Sequence, residues 1–223
     1  MKNINEVCVI IQARLGSQRV PQKMIKPFAE TTLTDIALEK IKQCKAFPLK
    51  NFYLSAWESE LRNIAETHSL NVFHRSEKSA KSEGTPMTEM YEWWDKLPFK
   101  YCVLINACAP FLNPETIDNF ITSYCKSDSD GMFGVVEKKN YFWDHNKDLL
   151  TPLTEAVMNT KTAKPMFEAA HCLYAGRMDK IGNGVWMGDF NTPGEIELFT
   201  MEEEEIFDID YEWQFNMAES LYF

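Results

Sequence analysis

Arg14, Arg19, Lys23 and Lys26 surround a Gly16-Ser17 turn in the segment QARLGSQRVPQKMIK (residues 12–26), and no Asp or Glu interrupts the chain between Glu6 and Glu30. Guanidinium forks and ammonium point charges gathered on a short loop suit an anion with several oxygens, and a hydroxyl with neighbouring backbone N–H groups can complete its coordination. The chemistry expected is phosphate or triphosphate binding. Gly16 would serve by taking a positive φ or by admitting close approach to an oxyanion. Near the other end, Asp208 and Asp210 in FDID offer two carboxylates two residues apart, hard oxygen ligands of the kind Mg²⁺ takes. Arg14 and Lys23 are the candidates for stabilising charge in a reaction, and Asp208 and Asp210 for holding the metal. Plainer readings stand beside these. The loop could be a basic patch that pairs with acids elsewhere, and the acid pair could cap the helix that follows it.

The loop is neither a Walker motif nor a Gly-x-Gly-x-x-Gly fingerprint. Six cysteines show no Cys-x-x-Cys and read as reduced residues, and four histidines lack metal-ligand spacing. A formal net charge of -10 with one local basic loop argues against nucleic acid as a partner and favours a small anion. No run approaches the roughly 18 apolar residues of a membrane span. The N-terminus lacks the apolar region of a signal peptide, so a cytoplasmic protein is expected.

Positioning these groups requires a scaffold. The 223 residues, 45% hydrophobic, suit one α/β domain, with 1–223 read as a single unit. Val7 to Ile11 is a continuous apolar run, expected to be a strand buried on both faces. A helix from Leu33 capped by Thr32 or Thr34, a strand at 51–56, a polar helix at 58–68 and a short strand at 72–74 follow. Residues 76–86 read as an exposed polar loop, 88–96 as a helix with Trp93 and Trp94 in the core, and 101–107 as a strand. A helix from Pro114 capped by Asn113, a strand at 131–136, a last strand at 206–209 and a helix at 212–222 complete the pattern. Strands separated by single helices imply a mostly parallel sheet, with ligands beyond the carboxyl ends of its strands. Between Glu137 and Glu195 the alternation fails, and the segment reads as an inserted β-rich arm or dimerisation element.

The segment Ala13 to Lys23, followed by Ile25-Lys26-Pro27-Phe28, resembles the A-R-x-G-S-x-R-x-P-x-K pattern of cytidylyltransferases that activate acidic sugars. These are the acylneuraminate and 3-deoxy-manno-octulosonate types and a related spore-coat polysaccharide group. Phe207 to Glu219 is similar to that family's terminal I-D-I-D-x-x-x-D-F-x-x-A-E, and Asn106 to Phe111 matches a strand end more loosely. The resemblance implies a three-layer Rossmann-like, nucleotide-diphospho-sugar transferase fold and a homodimer. It implies CTP and an acidic, sialic acid-like sugar as substrates, with Mg²⁺ held by Asp208 and Asp210. It also implies nucleotide contacts from Ala13, Arg14, Gly16, Ser17, Arg19, Lys23, Arg75 and Asn106; for Arg75, a surface ion pair is an equal alternative. Met24, Trp57, Asn106, Cys108 and Leu112 depart from the family's usual residues. Two alternatives to an active cytidylyltransferase therefore stand: a catalytically impaired nucleotide-binding relative, and a nucleotide-sugar glycosyltransferase using Asp208-Ile209-Asp210 as its Asp-x-Asp.

Overall fold

The apolar run at the N-terminus forms β1 (Val7–Gln12), and its side chains divide between two cores. Val7, Val9 and Ile11 join Leu33, Phe120 and Phe215 on one side, while Cys8 and Ile10 join Trp93, Cys102 and Ile181 on the other. The period-two alternation of a strand thus supplies both faces of a layered α/β structure. The computed structural model describes residues 1–81, 84–153 and 156–222.

In chain order the elements after β1 are β2 (Pro27–Phe28), β3 (Thr31–Thr32), α1 (Leu33–Gln43), β4 (Phe52–Ala56), α2 (Ser59–Thr67), β5 (Val72–His74), α3 (Glu77–Ala80), α4 (Met87–Met90), β6 (Tyr101–Ile105), α5 (Pro114–Lys126), β7 (Gly131–Lys138), β8 (Met166–Arg177), α6 (Met178–Gly182), β9 (Ile196–Thr200) and α7 (Glu212–Leu221). A seven-stranded sheet runs β5-β4-β1-β6-β8-β7-β9 among the described residues, and β8 alone opposes the common direction. The carboxyl ends of β1, β4, β5 and β6 therefore share one rim. Local chemistry sets the helices that pack on it. Thr32 Oγ1 accepts the Asp35 N–H at 3.1 Å to start α1, and Asn113 Oδ1 accepts the Glu115 N–H at 2.9 Å to start α5. Ile117, Phe120, Ile121 and Tyr124 form the buried stripe of α5.

Several expected elements differ. The segment 137–195 does not stand apart as an arm, because Met166–Arg177 lies inside the sheet, paired with both β6 and β7. The excursions from the sheet are 139–165, where Trp143 and Leu149 form an isolated bridge, and 178–195, which begins with α6; Thr154 and Glu155 lie outside the described residues. The last strand is β9, not 206–209, which is a 3-10 turn (Glu203–Ile206) leading into irregular chain. Its one backbone tie to the sheet region, Ile209 N–H to Cys108 O at 3.0 Å, is too little for a ladder. The polar stretch 76–86 contains α3, capped by Ser76, with Ser82 and Glu83 outside the described residues. The helix expected at 88–96 breaks into α4 and a 3-10 turn at Glu92–Trp94, with Trp93 buried as expected. No helix among the described residues is long and apolar enough to cross a membrane.

One close approach shapes the rim. A Cβ on Gly131 would lie 2.0 Å from Met187 O, and one on Gly176 would lie 2.9 Å from Met187 Cα. Glycines in neighbouring strands let the Met187 backbone lie flat on the sheet, which fixes the adjacent Trp186 beside the site described next.

Candidate functional site

The basic loop is tied down before any ligand is considered. Ala13 N–H donates to Ser55 O at 3.0 Å, near the end of β4, and Leu15 N–H to Glu58 Oε1 at 2.8 Å, at the start of α2. Ser17 Oγ accepts the Val20 N–H at 3.4 Å, and Val20 is fully buried. Downstream, Thr34 Oγ1 donates to Met24 O at 2.6 Å. Gly16 does not take a positive φ, so that expectation is corrected; a Cβ there would meet nothing within 4 Å, which leaves open approach as its contribution.

The loop's cations face the C-terminal acids. Arg19 Nη2 lies 2.6 Å from Asp210 Oδ1, with its guanidinium 5.2 Å from the Tyr211 ring centroid. Lys23 is only 8% exposed; its Nζ donates to Ile209 O and stands 3.9 Å from Asp210 Oδ1. Lys26 pairs with Glu212. The Asp pair does not sit on a strand, as expected from spacing; Gln214 Oε1 holds the segment by accepting the Asp210 N–H at 2.7 Å and the Tyr211 N–H at 2.8 Å. Asp208 Oδ1 is buried without a hydrogen-bond partner, and burial pushes its carboxyl above the usual range, against the pull of Lys23.

A cavity of about 460 Å³ lies between these groups, lined by Ala13, Arg14, Gly16, Ser17, Arg19, Lys23, Asn106, Cys108 and Asp210 among others. A second, of about 360 Å³, shares Gln12, Arg14 and Asn106 with the first and extends to Arg75, Tyr91, Tyr174 and Trp186. Arg75 is not a surface ion pair. It is 4% exposed, donates from Nε to Ser79 Oγ at 3.1 Å and also bonds Ser79 O, and burial, with Arg14 nearby, pulls its pKa down to about 10. Asn106 holds backbone on two sides, Nδ2 donating to His171 O at 3.0 Å and Oδ1 accepting the Cys108 N–H at 2.9 Å, and its amide also favours the ionised Asp208. The Cys108 thiol, raised by burial, sits among Lys23, Asp208 and Asp210.

Four contributors were not legible in the sequence. Gln12 Oε1 accepts from Trp93 Nε1 at 2.9 Å and lines both cavities. Tyr91 and Trp186 stack at 5.5 Å between ring centroids, 27° apart, to wall the second cavity. Glu58 reaches the loop from the N-terminus of α2. Each depends on distant residues meeting, which no local pattern signals; only the strand-end position of Gln12 pointed toward the rim.

Mg²⁺ commonly takes one or two carboxylates together with substrate phosphates. Among the described residues no group of three or more His, Cys, Asp or Glu side chains forms a metal cage. The unpartnered Asp208 Oδ1 beside Asp210 nevertheless fits a cation whose remaining ligands come from a phosphate.

Lys40, on α1, braces the turn after β6. Its Nζ donates to Ala109 O at 3.1 Å and to Pro110 O, and burial pushes its pKa from 10.5 down to about 7, with Glu205 opposing. The unfolded chain therefore takes up this proton first as pH falls below 10.5, so the contribution to stability present above 10.5 is lost down to about 7. Denaturant midpoints between these pH values should rise with pH in the wild type and lack that component in Lys40→Met. Parallel curves would show that Lys40 does not titrate in this window.

The family model described as "Cytidylyltransferase" matches residues 8–221. The chain is 29% identical over 136 residues to spore coat polysaccharide biosynthesis protein SpsF of Bacillus subtilis (strain 168), covering 57% of this chain and 53% of that protein. It is 28% identical over 136 residues to a 3-deoxy-manno-octulosonate cytidylyltransferase of Rickettsia felis, covering 59% and 52%. The chain thus spans about half the length of the curated relatives it matches. The structure of CMP:2-keto-3-deoxy-manno-octonic acid synthetase complexed with CTP superposes with a TM-score of 0.66 at 12% identity, covering 97% of this chain and 98% of that one. A 4-diphosphocytidyl-2C-methyl-D-erythritol synthase from Anaerococcus prevotii gives 0.65 at 12% identity, over 96% and 95%. At these identities the structural likeness concerns the fold.

Proposed function

Because the chain belongs to the cytidylyltransferase family, we propose that it transfers the cytidylyl group of CTP to the anomeric hydroxyl of an acidic, sialic acid-like sugar and releases pyrophosphate. The observation that carries this reading is the cavity in which Arg14, Arg19 and Lys23 face Asp210, with Asp208 beside it. The spore-coat relative supports a sugar in polysaccharide synthesis, and the octulosonate relative supports an acidic sugar.

In this reading the sugar oxygen attacks the α-phosphorus, the bond from that phosphorus to the oxygen bridging the β-phosphate breaks, and the hydroxyl proton passes to solvent. Such a reaction depends on positioning and on neutralising charge. Arg14 and Lys23 neutralise the triphosphate, and Gly16 and Ser17 supply open backbone and a hydroxyl at its oxygens. Arg19 exchanges Asp210 for phosphate oxygens, which releases Asp210. Asp208 and Asp210 would hold Mg²⁺. When bound, the ion would polarise the α-phosphate and lower the pKa of the attacking hydroxyl. A homodimer is part of the same proposal.

The test is incubation with CTP, Mg²⁺ and a panel of acidic sugars, scored for pyrophosphate. Release with one sugar supports the transfer. CTP binding by calorimetry with no turnover across the panel would replace it with the nucleotide-binding reading, and nucleotide release only from a preformed nucleotide sugar with the glycosyltransferase reading.

A further inference from the structure

Glu58 stands at the N-terminus of α2 yet makes no capping hydrogen bond there. Its Oε1 instead accepts the Leu15 N–H at 2.8 Å, across 43 residues of sequence, while Ser55 O accepts the Ala13 N–H at 3.0 Å. The end of β4 and the start of α2 therefore grip the loop on both sides of Arg14. Beyond Leu15 the turn at Gly16 has open space around it, and the next side-chain anchor is Ser17 Oγ on Val20 N–H, at a long 3.4 Å. Glu58 Oε2 is buried with no partner of its own. A half-satisfied carboxylate is costly to bury, and one beside a phosphate loop repels the ligand. Buried Arg75, whose ionised form Glu58 favours, offsets part of that cost.

We propose that Glu58 is a positioning residue for the phosphate loop, its Oε1 clamping the Leu15 amide so that Arg14 and the Gly16-Ser17 turn are set before the triphosphate arrives. The proposal rests on the reading of residues 12–26 as the triphosphate site. Its gain is preorganisation: without the acceptor, the ordering of the loop falls to the binding step.

A clamp and a bystander charge predict opposite signs. Inorganic tripolyphosphate is titrated by calorimetry into the wild type, Glu58→Ala and Glu58→Gln at one ionic strength, and hydrogen exchange is followed at the Leu15 amide. Glu58→Ala is expected to bind about tenfold more weakly, as loss of a charge-assisted hydrogen bond would cause, with faster exchange at Leu15. Glu58→Gln keeps an acceptor oxygen without the repulsion and is expected to bind as tightly as the wild type or more tightly, with Leu15 protected. Equal or tighter binding by Glu58→Ala overturns the clamp, as does a Gln variant as weak as the Ala variant. Should Glu58→Ala fail to fold, Glu58→Met, which retains the stem and lacks the acceptor, takes its place. Tripolyphosphate binding that follows this pattern in a protein that never releases pyrophosphate from CTP upholds the clamp and sinks the proposed reaction. No binding by the wild type overturns the phosphate loop and the clamp together.

Discussion

Asp208→Asn is expected to lower turnover by about a hundredfold to a thousandfold, the scale of losing an electrostatic stabiliser, while making the metal-free protein more stable at neutral pH. Both effects have one cause. Asp208 Oδ1 is buried without a partner, and burial raises its pKa. As pH rises from 3.8 the unfolded carboxyl ionises before the folded one, so stability is lost up to the folded pKa and the penalty persists above it. The neutral amide escapes that penalty and gives up the carboxylate proposed to hold Mg²⁺. Thermal unfolding in chelator should place the variant above the wild type at pH 7, with the gap closing toward pH 4. Undiminished Mg²⁺-dependent pyrophosphate release would remove Asp208 from the metal site, and a variant less stable at pH 7 would refute its desolvation.

Lys23→Met should lose both activity and stability. The ammonium is nearly enclosed, held by Ile209 O and 3.9 Å from Asp210, so it joins the loop to the acid segment as well as facing the cavity. Removing it leaves a buried carbonyl without its donor, a cost of about 1–3 kcal/mol. The loss of charge opposite the triphosphate is expected to reduce kcat by about a hundredfold or more. Denaturant unfolding and steady-state kinetics separate the two. A change confined to KM would make Lys23 a binding residue, and an unchanged unfolding midpoint would mean that the Ile209 contact carries no stability.

The parts of this architecture written in local chemistry could be read from sequence. β1 and β6 are unbroken apolar runs, and Thr32 and Asn113 announce the helices they cap. The loop with Arg14, Gly16 and Lys23, and the acids at 208 and 210, were visible as residue types at short spacing. β8 was hidden because it bends: its register with β7 shifts between Phe133 and Val135, and His171 carries a φ of 55°, so its burial does not alternate cleanly. β9 was hidden as an edge strand whose side chains are mostly exposed, while apolar Ile206 and Ile209 mimicked a strand and instead pack as irregular chain. For Arg75 the sequence left a nucleotide contact and a surface ion pair equally open, because a single sequence does not reveal that Ser79 folds back to receive it. Glu58 had no signal at all, its partner lying 43 residues away.

The enclosure of Lys23 by Ile209, and the pairing of Arg19 with Asp210 and of Lys26 with Glu212, also impose an order in time. Synthesis runs from the N-terminus, and Arg19 and Lys26 emerge 191 and 186 residues before the acids that pair with them. Every sheet strand, through Thr200, has been made before Asp208 appears. Until Asp210 and Glu212 emerge, the nascent chain carries this positive loop without those partners.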